Sequence, residues 1–308
     1  MDTLTKDNIL YINYMSRRHN SFTKHIRSAC QQIKALLPNT DPRDDPMIKT
    51  LMNQRQTYVG EMKKALEIFP IWSEWLKLIP GIGVATITPF ILHFNYKFVK
   101  ECKKCGGDMI LPNNNDVENN TGKGEKYTCK SCGFKGSPKK LTDGLPYKVK
   151  KRNFDTISKW WVYTGVAPDK ETGHRPQLKK GDKTSWSPHL RTTAYLIGEN
   201  FNKNNSLYKD WIIERKRKRE KTHPDLCPKG RQYMCQAEGV KLFLSHFWHV
   251  QRRLNGESVY GPYAQEVMNH TGIIDPYYWL YEKEFIKKEK GFIKPKKVRR
   301  KTIKKFNY

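Results

Sequence analysis

A chain of 308 residues with 58 Lys plus Arg against 30 Asp plus Glu carries a net charge of +28, well beyond the few charges that keep a small domain soluble. Such a surplus points to a polyanionic partner, drawn by counterion release and long-range attraction. No membrane is expected, since no apolar run approaches about 18 residues, and the polar start Met1-Asp2-Thr3-Leu4-Thr5-Lys6 has no signal-peptide core, so a cytoplasmic location is the expectation.

In chain order, Phe22, Ile26, Cys30, Ile33 and Leu37 recur at helical spacing and fall on one face. A break follows at Asn39-Thr40-Asp41-Pro42. Asp45 then reads as an N-cap with Pro46 at the first helical position, and Ile48, Leu51, Tyr58, Met62, Leu66 and Phe69 form the apolar stripe of a second helix. Residues 1–70 are thus expected to form an antiparallel helical hairpin, a candidate for coiled-coil oligomerisation.

Next comes Leu76-Lys77-Leu78-Ile79-Pro80-Gly81-Ile82-Gly83-Val84-Ala85-Thr86, two short apolar helical segments joined by a Pro-Gly-x-Gly turn, the pattern of a helix-hairpin-helix within 71–100. Pro80 ends the first segment, and Gly81 and Gly83 are expected to take backbone angles that side chains disfavour. The amides opening the second segment would then suit a phosphate. Lys77, Gly81, Gly83 and Thr86 are accordingly candidate nucleic-acid contacts, although the same turn also serves simply to pack two helices.

Residues 101–140 change character. Cys102-Lys103-Lys104-Cys105-Gly106 and Cys129-Lys130-Ser131-Cys132-Gly133 are two copies of a C-x-x-C-G knuckle. Each would place two thiolates on a tight turn, and together they complete a four-sulfur shell with no open position, the pattern of a structural zinc ribbon. Lys103, Lys104, Lys126, Lys130 and Lys135 would offset the charge of such a centre. With four of the seven cysteines so used, a disulfide framework is not expected.

Beyond the ribbon, 141–282 returns to helical patterning. Helices are expected over 155–161, over 188–201 with Ser187 as cap and Pro188 following, from Leu207 through the basic run Arg215-Lys216-Arg217-Lys218-Arg219, and over 230–254. Residues 165–188 read as an extended loop. Cys227, Cys235, His246 and His249, with His223 nearby, could approach one another, but Phe243, Phe247 and Val250 mark that helix as core. The segment 283–308, with twelve Lys or Arg and two Glu, reads as a disordered basic tail containing Arg299 and Arg300. The expected fold class is therefore mainly α, with a small inserted β zinc ribbon.

The order of these motifs resembles a known family. Leu78-Ile79-Pro80-Gly81-Ile82-Gly83-Val84-Ala85-Thr86 is followed by Phe154-x-x-Ile157-x-x-Trp160-x-x-x-Thr164-Gly165-Val166-Ala167-Pro168, by Thr172-Gly173, and by Pro188-His189-Leu190-Arg191 with the Ala194-Tyr195-Leu196 helix. This succession resembles the C-terminal transposase domain of the DEDD-type insertion-sequence transposases that are guided by a bridging RNA. The resemblance spans roughly 45–255, with the ribbon inserted where that family has a short connection. It implies a transposase-like helical domain, DNA as partner, a structured guide RNA as a second partner, and a homo-oligomer.

Two departures bear on activity. The family's N-terminal acidic nuclease-like domain is not expected within 1–70, which reads as helices and not as the alternating strands that would hold its carboxylates. The family's loop serine aligns with Thr172, within Lys170-Glu171-Thr172-Gly173-His174-Arg175. The resemblance thus gives Thr172 the place of a nucleophile, which His174 as base and Arg175 as phosphate clamp could assist, although ordinary loop chemistry accounts for a Thr-Gly pair equally well. Three readings follow. The chain is a transposase-derived DNA-binding protein held by the hairpin, Arg191, Arg215, Arg217 and the tail; or a recombinase using Thr172, Mg2+ and an acidic partner supplied in trans; or a structured-RNA-binding module in which Lys159-Trp160-Trp161-Val162-Tyr163 stacks bases.

Overall fold

The computed structural model describes residues 5–110, 127–137, 148–168, 184–259 and 276–277. Among them the chain forms eight α-helices and five short strands, so the mainly α class with a small inserted β element holds.

Helix α1 (Lys6–Leu36) is capped by the Thr5 hydroxyl, which accepts from the amide of Asn8, and it runs antiparallel to α2 (Pro46–Leu66). The expected start of α2 is confirmed: one Asp45 carboxylate oxygen accepts from the amides of Met47 and Ile48 at 2.9 and 3.0 Å. The apolar face of α1 lies earlier than its sequence pattern suggests. Ile9, Leu10, Ile12 and Met15 enter the main core, whereas of the expected face only Ile26 is buried and Leu37 is exposed. Phe22 still meets α2, with its ring centroid 5.6 Å from that of Tyr58.

The segment before the glycine turn is less helical than expected. It consists of the five-residue α3 (Pro70–Glu74) and a single 3-10 turn, Leu76–Leu78. Helix α4 (Val84–Asn95) then passes through the middle of the core, with Ile87, Phe90, Ile91, Leu92 and Phe94 all buried. Against it pack α1, α2 and α6 (Pro188–Lys203), with α5 (Ile157–Thr164) and α8 (Pro228–Leu254) joined through aromatic contacts, and α7 (Leu207–Thr222) lies on α8. Ser187 caps α6 as its sequence suggests, accepting from the Leu190 amide at 3.3 Å, and Cys227 caps α8. Gly165, left-handed at φ 70°, ends α5.

The core is aromatic. Trp160 lies edge-on to Phe90 and Phe94 and stacks on Phe247, and Trp75 stacks on Phe243. Trp160 is fully buried, so it cannot serve as a stacking platform for bases.

From α4 the chain runs directly into β1 (Tyr96–Glu101), the hub of an antiparallel sheet ordered β4-β3-β2-β1-β5. The remaining strands are β2 (Asp108–Ile110), β3 (Tyr127–Cys129), β4 (Lys135–Gly136) and β5 (Lys148–Lys151). β1 pairs with β5 over Tyr96 to Val99 and with β2 over Lys100 and Glu101. The sheet thus begins before residue 101 and returns after residue 140, and the β1–β5 ladder ties the ribbon to the helical body. Phe98 belongs to the main core, while Cys102, Met109 and Cys129, with Tyr127 and Phe134 against them, form a second, separate core.

Candidate metal centre and nucleic-acid interface

The two knuckles close on one another. Gly106 and Gly133 both sit at positive φ, 69° and 68°, where the chain reverses after each second cysteine. Matching turn bonds support them: the Gly106 amide donates to the Cys102 carbonyl at 3.0 Å, and the Gly133 amide to the Cys129 carbonyl at 3.1 Å. The Sγ atoms of Cys102 and Cys132 are 3.8 Å apart, those of Cys105 and Cys129 3.5 Å, and those of Cys105 and Cys132 3.4 Å. Four sulfurs each about 2.3 Å from a tetrahedral metal would stand about 3.8 Å apart, so the spacing fits one ion.

Backbone amides point at the sulfurs, that of Lys104 at Cys102 and that of Gly107 at Cys105, each at 3.4 Å. The thiols respond unequally. Amides of Cys132 and Ser131 outweigh burial and bring Cys129 down to about 6. At Cys105 the Gly107 amide pulls downward, but the Cys132 and Cys129 thiols together with burial push it up to about 12. The set can hold a metal ion, and it is the one group of three or more such ligands among the described residues. Cys227, Cys235, His246 and His249 are not brought together. Cys227 serves as a cap, Cys235 is buried, and the His246 ring faces the Tyr208 hydroxyl at 2.9 Å. All seven cysteines are free of disulfides in the structure.

At the glycine turn, Gly81 alone needs its glycine: its φ is 92°, whereas Gly83, at φ −100° and ψ 151°, is extended backbone open to any residue. That corrects the expectation for Gly83, which acts instead as the N-cap residue of α4. No side chain caps it and it is exposed, while Val84 behind it is buried and the Thr86 amide already donates to the Gly83 carbonyl at 3.1 Å. Thr86 turns back on the helix, its hydroxyl donating to the Gly83 carbonyl at 2.8 Å. Lys77 is exposed and pairs with Glu67 at 3.2 Å.

The other cationic candidates divide by contact. Arg191 on α6 is half-buried, its guanidinium 5.4 Å from the Trp186 ring centroid, and it borders a cleft of about 290 Å³ with Tyr195, Tyr233 and Gln236. Arg215 on α7 binds Glu238 of α8 at 2.8 Å and lies over Trp211, and Arg219 binds the other Glu238 oxygen. Arg217 on the same helix is exposed. Thr172, His174, Arg175, Arg299 and Arg300 lie outside the described residues.

Two groups escape a reading of the sequence. His93, buried, and His189, half-buried, meet α5 and α1: His189 Nε2 stands 3.3 Å from Asn20 Nδ2, and His93 Nδ1 stands 3.3 Å from the Tyr163 hydroxyl. Burial, then Arg17 and Lys24, pushes His189 down to about 4, and burial with Arg152, His189 and Arg17 holds His93 well below its ordinary value. The second group is the lysine set of the β1–β5 ladder, for which the alternation in Lys148-Val149-Lys150 was the available signal.

No helix among the described residues is long and apolar enough to cross a membrane. Comparison of the chain with protein-family models, with curated proteins and with solved structures gives no match.

Proposed function

We propose that this chain is a DNA-binding protein of transposase type that grips the phosphate backbone, and that its four-cysteine centre holds a structural zinc ion. The observation that carries the first part is the start of α4. A helix N-terminus with no side-chain cap and an exposed glycine at its N-cap position directly follows a glycine bend, in a chain with 28 surplus positive charges. Helix N-termini concentrate partial positive charge and free amides, which suits phosphate oxygens. Lys77, Arg191 and Arg217 extend that interface. The order of motifs shared with the insertion-sequence transposases supplies the wider frame and carries DNA transposition or recombination with it.

For the metal, an all-thiolate tetrahedron favours zinc or an iron–sulfur centre over hard cations, and four protein ligands leave no site for substrate. Zinc would therefore brace the ribbon and take no part in hydrolysis.

Binding of this type is set by phosphates more than by base edges. For about six neutralised phosphates, the log–log dependence of duplex affinity on salt should have a slope near −5. Fluorescence anisotropy with a labelled duplex, from about 50 to 200 mM salt, measures it. A slope near zero, or a clear preference for structured RNA over duplex and branched DNA at fixed salt, would remove this reading. Metal analysis of the purified protein should find one zinc per chain.

A further inference from the structure

In the β1–β5 ladder, Lys97 is paired directly with Lys150, and Val99 with Lys148. Strand alternation therefore sets Lys97, Lys148 and Lys150 on one face. The opposite face, through Phe98, Tyr96 and Val149, packs on the main core, so the lysine face looks away from it. Lys148 and Lys150 are exposed, and Lys97 is half-buried. Val99, which lies among them, is buried yet belongs to neither apolar core.

Like charges directly opposite one another destabilise a strand pair. The acidic groups placed on this face by the pairing are Glu101 and Asp108, which oppose each other at the ribbon end. Asp108 takes the Lys150 ammonium at 2.5 Å, leaving the ladder with a cationic excess. The metal does not explain it. Four thiolates around a divalent ion leave a charge of about −2, but the lysines that flank that centre are Lys103, Lys104, Lys130 and Lys135. Lys97, Lys148 and Lys150 instead belong to the stalk between ribbon and body.

We propose that Lys97, Lys148 and Lys150 form a docking strip for a sugar-phosphate strand of duplex DNA, so that the ribbon stalk is part of the interface and not only a brace. The inference rests on the reading of the chain as a DNA-binding protein. Charge complementarity commits the strip to a polyanion, and its linear form, two lysines at i and i+2 with a third alongside, suits a continuous backbone better than a single anion. In keeping with this crowding, burial first and then Arg152 and Lys130 hold Lys97 below the ordinary lysine value.

The test uses the full zinc-loaded chain and a labelled duplex across a salt series. Replacing all three, Lys97→Gln, Lys148→Gln and Lys150→Gln, should make the log–log salt slope shallower by about 2, since Asp108 already engages Lys150, and weaken binding about tenfold or more at low salt. A control with the same loss of charge, Lys34→Gln, Lys49→Gln and Lys63→Gln on the α1–α2 hairpin, should leave the slope within about 1 of the wild type. Asp108→Asn, which releases Lys150 to the strip, should tighten binding about two- to threefold, the scale of one exposed ion pair. Unchanged zinc content and far-ultraviolet circular dichroism verify that each variant is folded. Equal losses in the strip and control variants would overturn the strip, since net charge alone would then be acting. If the wild-type chain fails to bind duplex DNA at all, it is the underlying reading that falls.

Discussion

Gly81 lies against the end of α6: a Cβ placed on it would stand 3.1 Å from the Asn200 carbonyl oxygen and 3.2 Å from the Asn204 side-chain nitrogen Nδ2. With φ at 92°, Gly81→Ala meets both backbone strain and a carbonyl that cannot swing aside. A loss of about 1–3 kcal/mol is expected. At Gly83 the added Cβ would touch only the Thr86 hydroxyl, at 3.7 Å, so Gly83→Ala should lose no more than about 1 kcal/mol, the difference between glycine and alanine at an N-cap. Urea unfolding of the two variants checks the contrast.

The ribbon has its own small core, separate from that of the helices. Removing the metal by chelation, or by Cys132→Ser, should therefore unfold the ribbon and leave the helical body standing. Hydrogen exchange would show lost protection in β2, β3 and β4 with little change in α4 to α8. Metal uptake should also strengthen as pH rises from 6 to 8, because Cys105, held up to about 12, must surrender a proton to bind, while Cys129, near 6, largely has. Zinc competition titrations across that range measure the effect.

His189, pushed down to about 4, is neutral in the folded protein where an unfolded chain would already bind a proton, near 6.5. Its contribution is fully present above pH 6.5 and is lost as pH falls toward 4, because the unfolded state binds the extra proton. The loss should reach about 3 kcal/mol at the acid end. His93 is shifted in the same direction and adds to it. The slope of stability against pH between 4.5 and 7, measured by urea unfolding, should be flatter in His189→Gln than in wild type.

On α7, alternate residues of the basic run have opposite employment. Glu238 is half-buried; burial works against its charge, but the bonds from Arg219 and Arg215 outweigh this and hold it below its ordinary value. Glu238→Gln should cost about 1–3 kcal/mol through weakened charge-assisted bonds between α7 and α8. Arg217→Gln should leave stability unchanged and make the salt slope of DNA binding shallower by about 1. Arg215→Gln should do the reverse, lowering stability and sparing the slope. Paired unfolding and anisotropy measurements separate them.

Local chemistry was legible in the sequence. Asp45-Pro46 and Ser187-Pro188 announce helix starts because a short polar side chain and a following proline suit those positions wherever they occur. The two knuckles announce a metal centre because thiolate spacing along the chain nearly determines thiolate spacing in space. The net charge, a property of composition alone, is what motivates the proposed polyanionic partner.

What only the tertiary structure decided was which side chains remain available. Arg215 and Arg217 are indistinguishable in a basic run, yet Glu238, which stands 23 residues after Arg215, engages one and not the other. Gly81 and Gly83 look alike in a Pro-Gly-x-Gly turn, but the end of α6 makes one indispensable and leaves the other ordinary. Lys97 and Lys150 share a face because β1 and β5, on either side of the ribbon, pair antiparallel. Long-range burial, pairing and register depend on contacts between distant segments, and a local pattern carries no record of them.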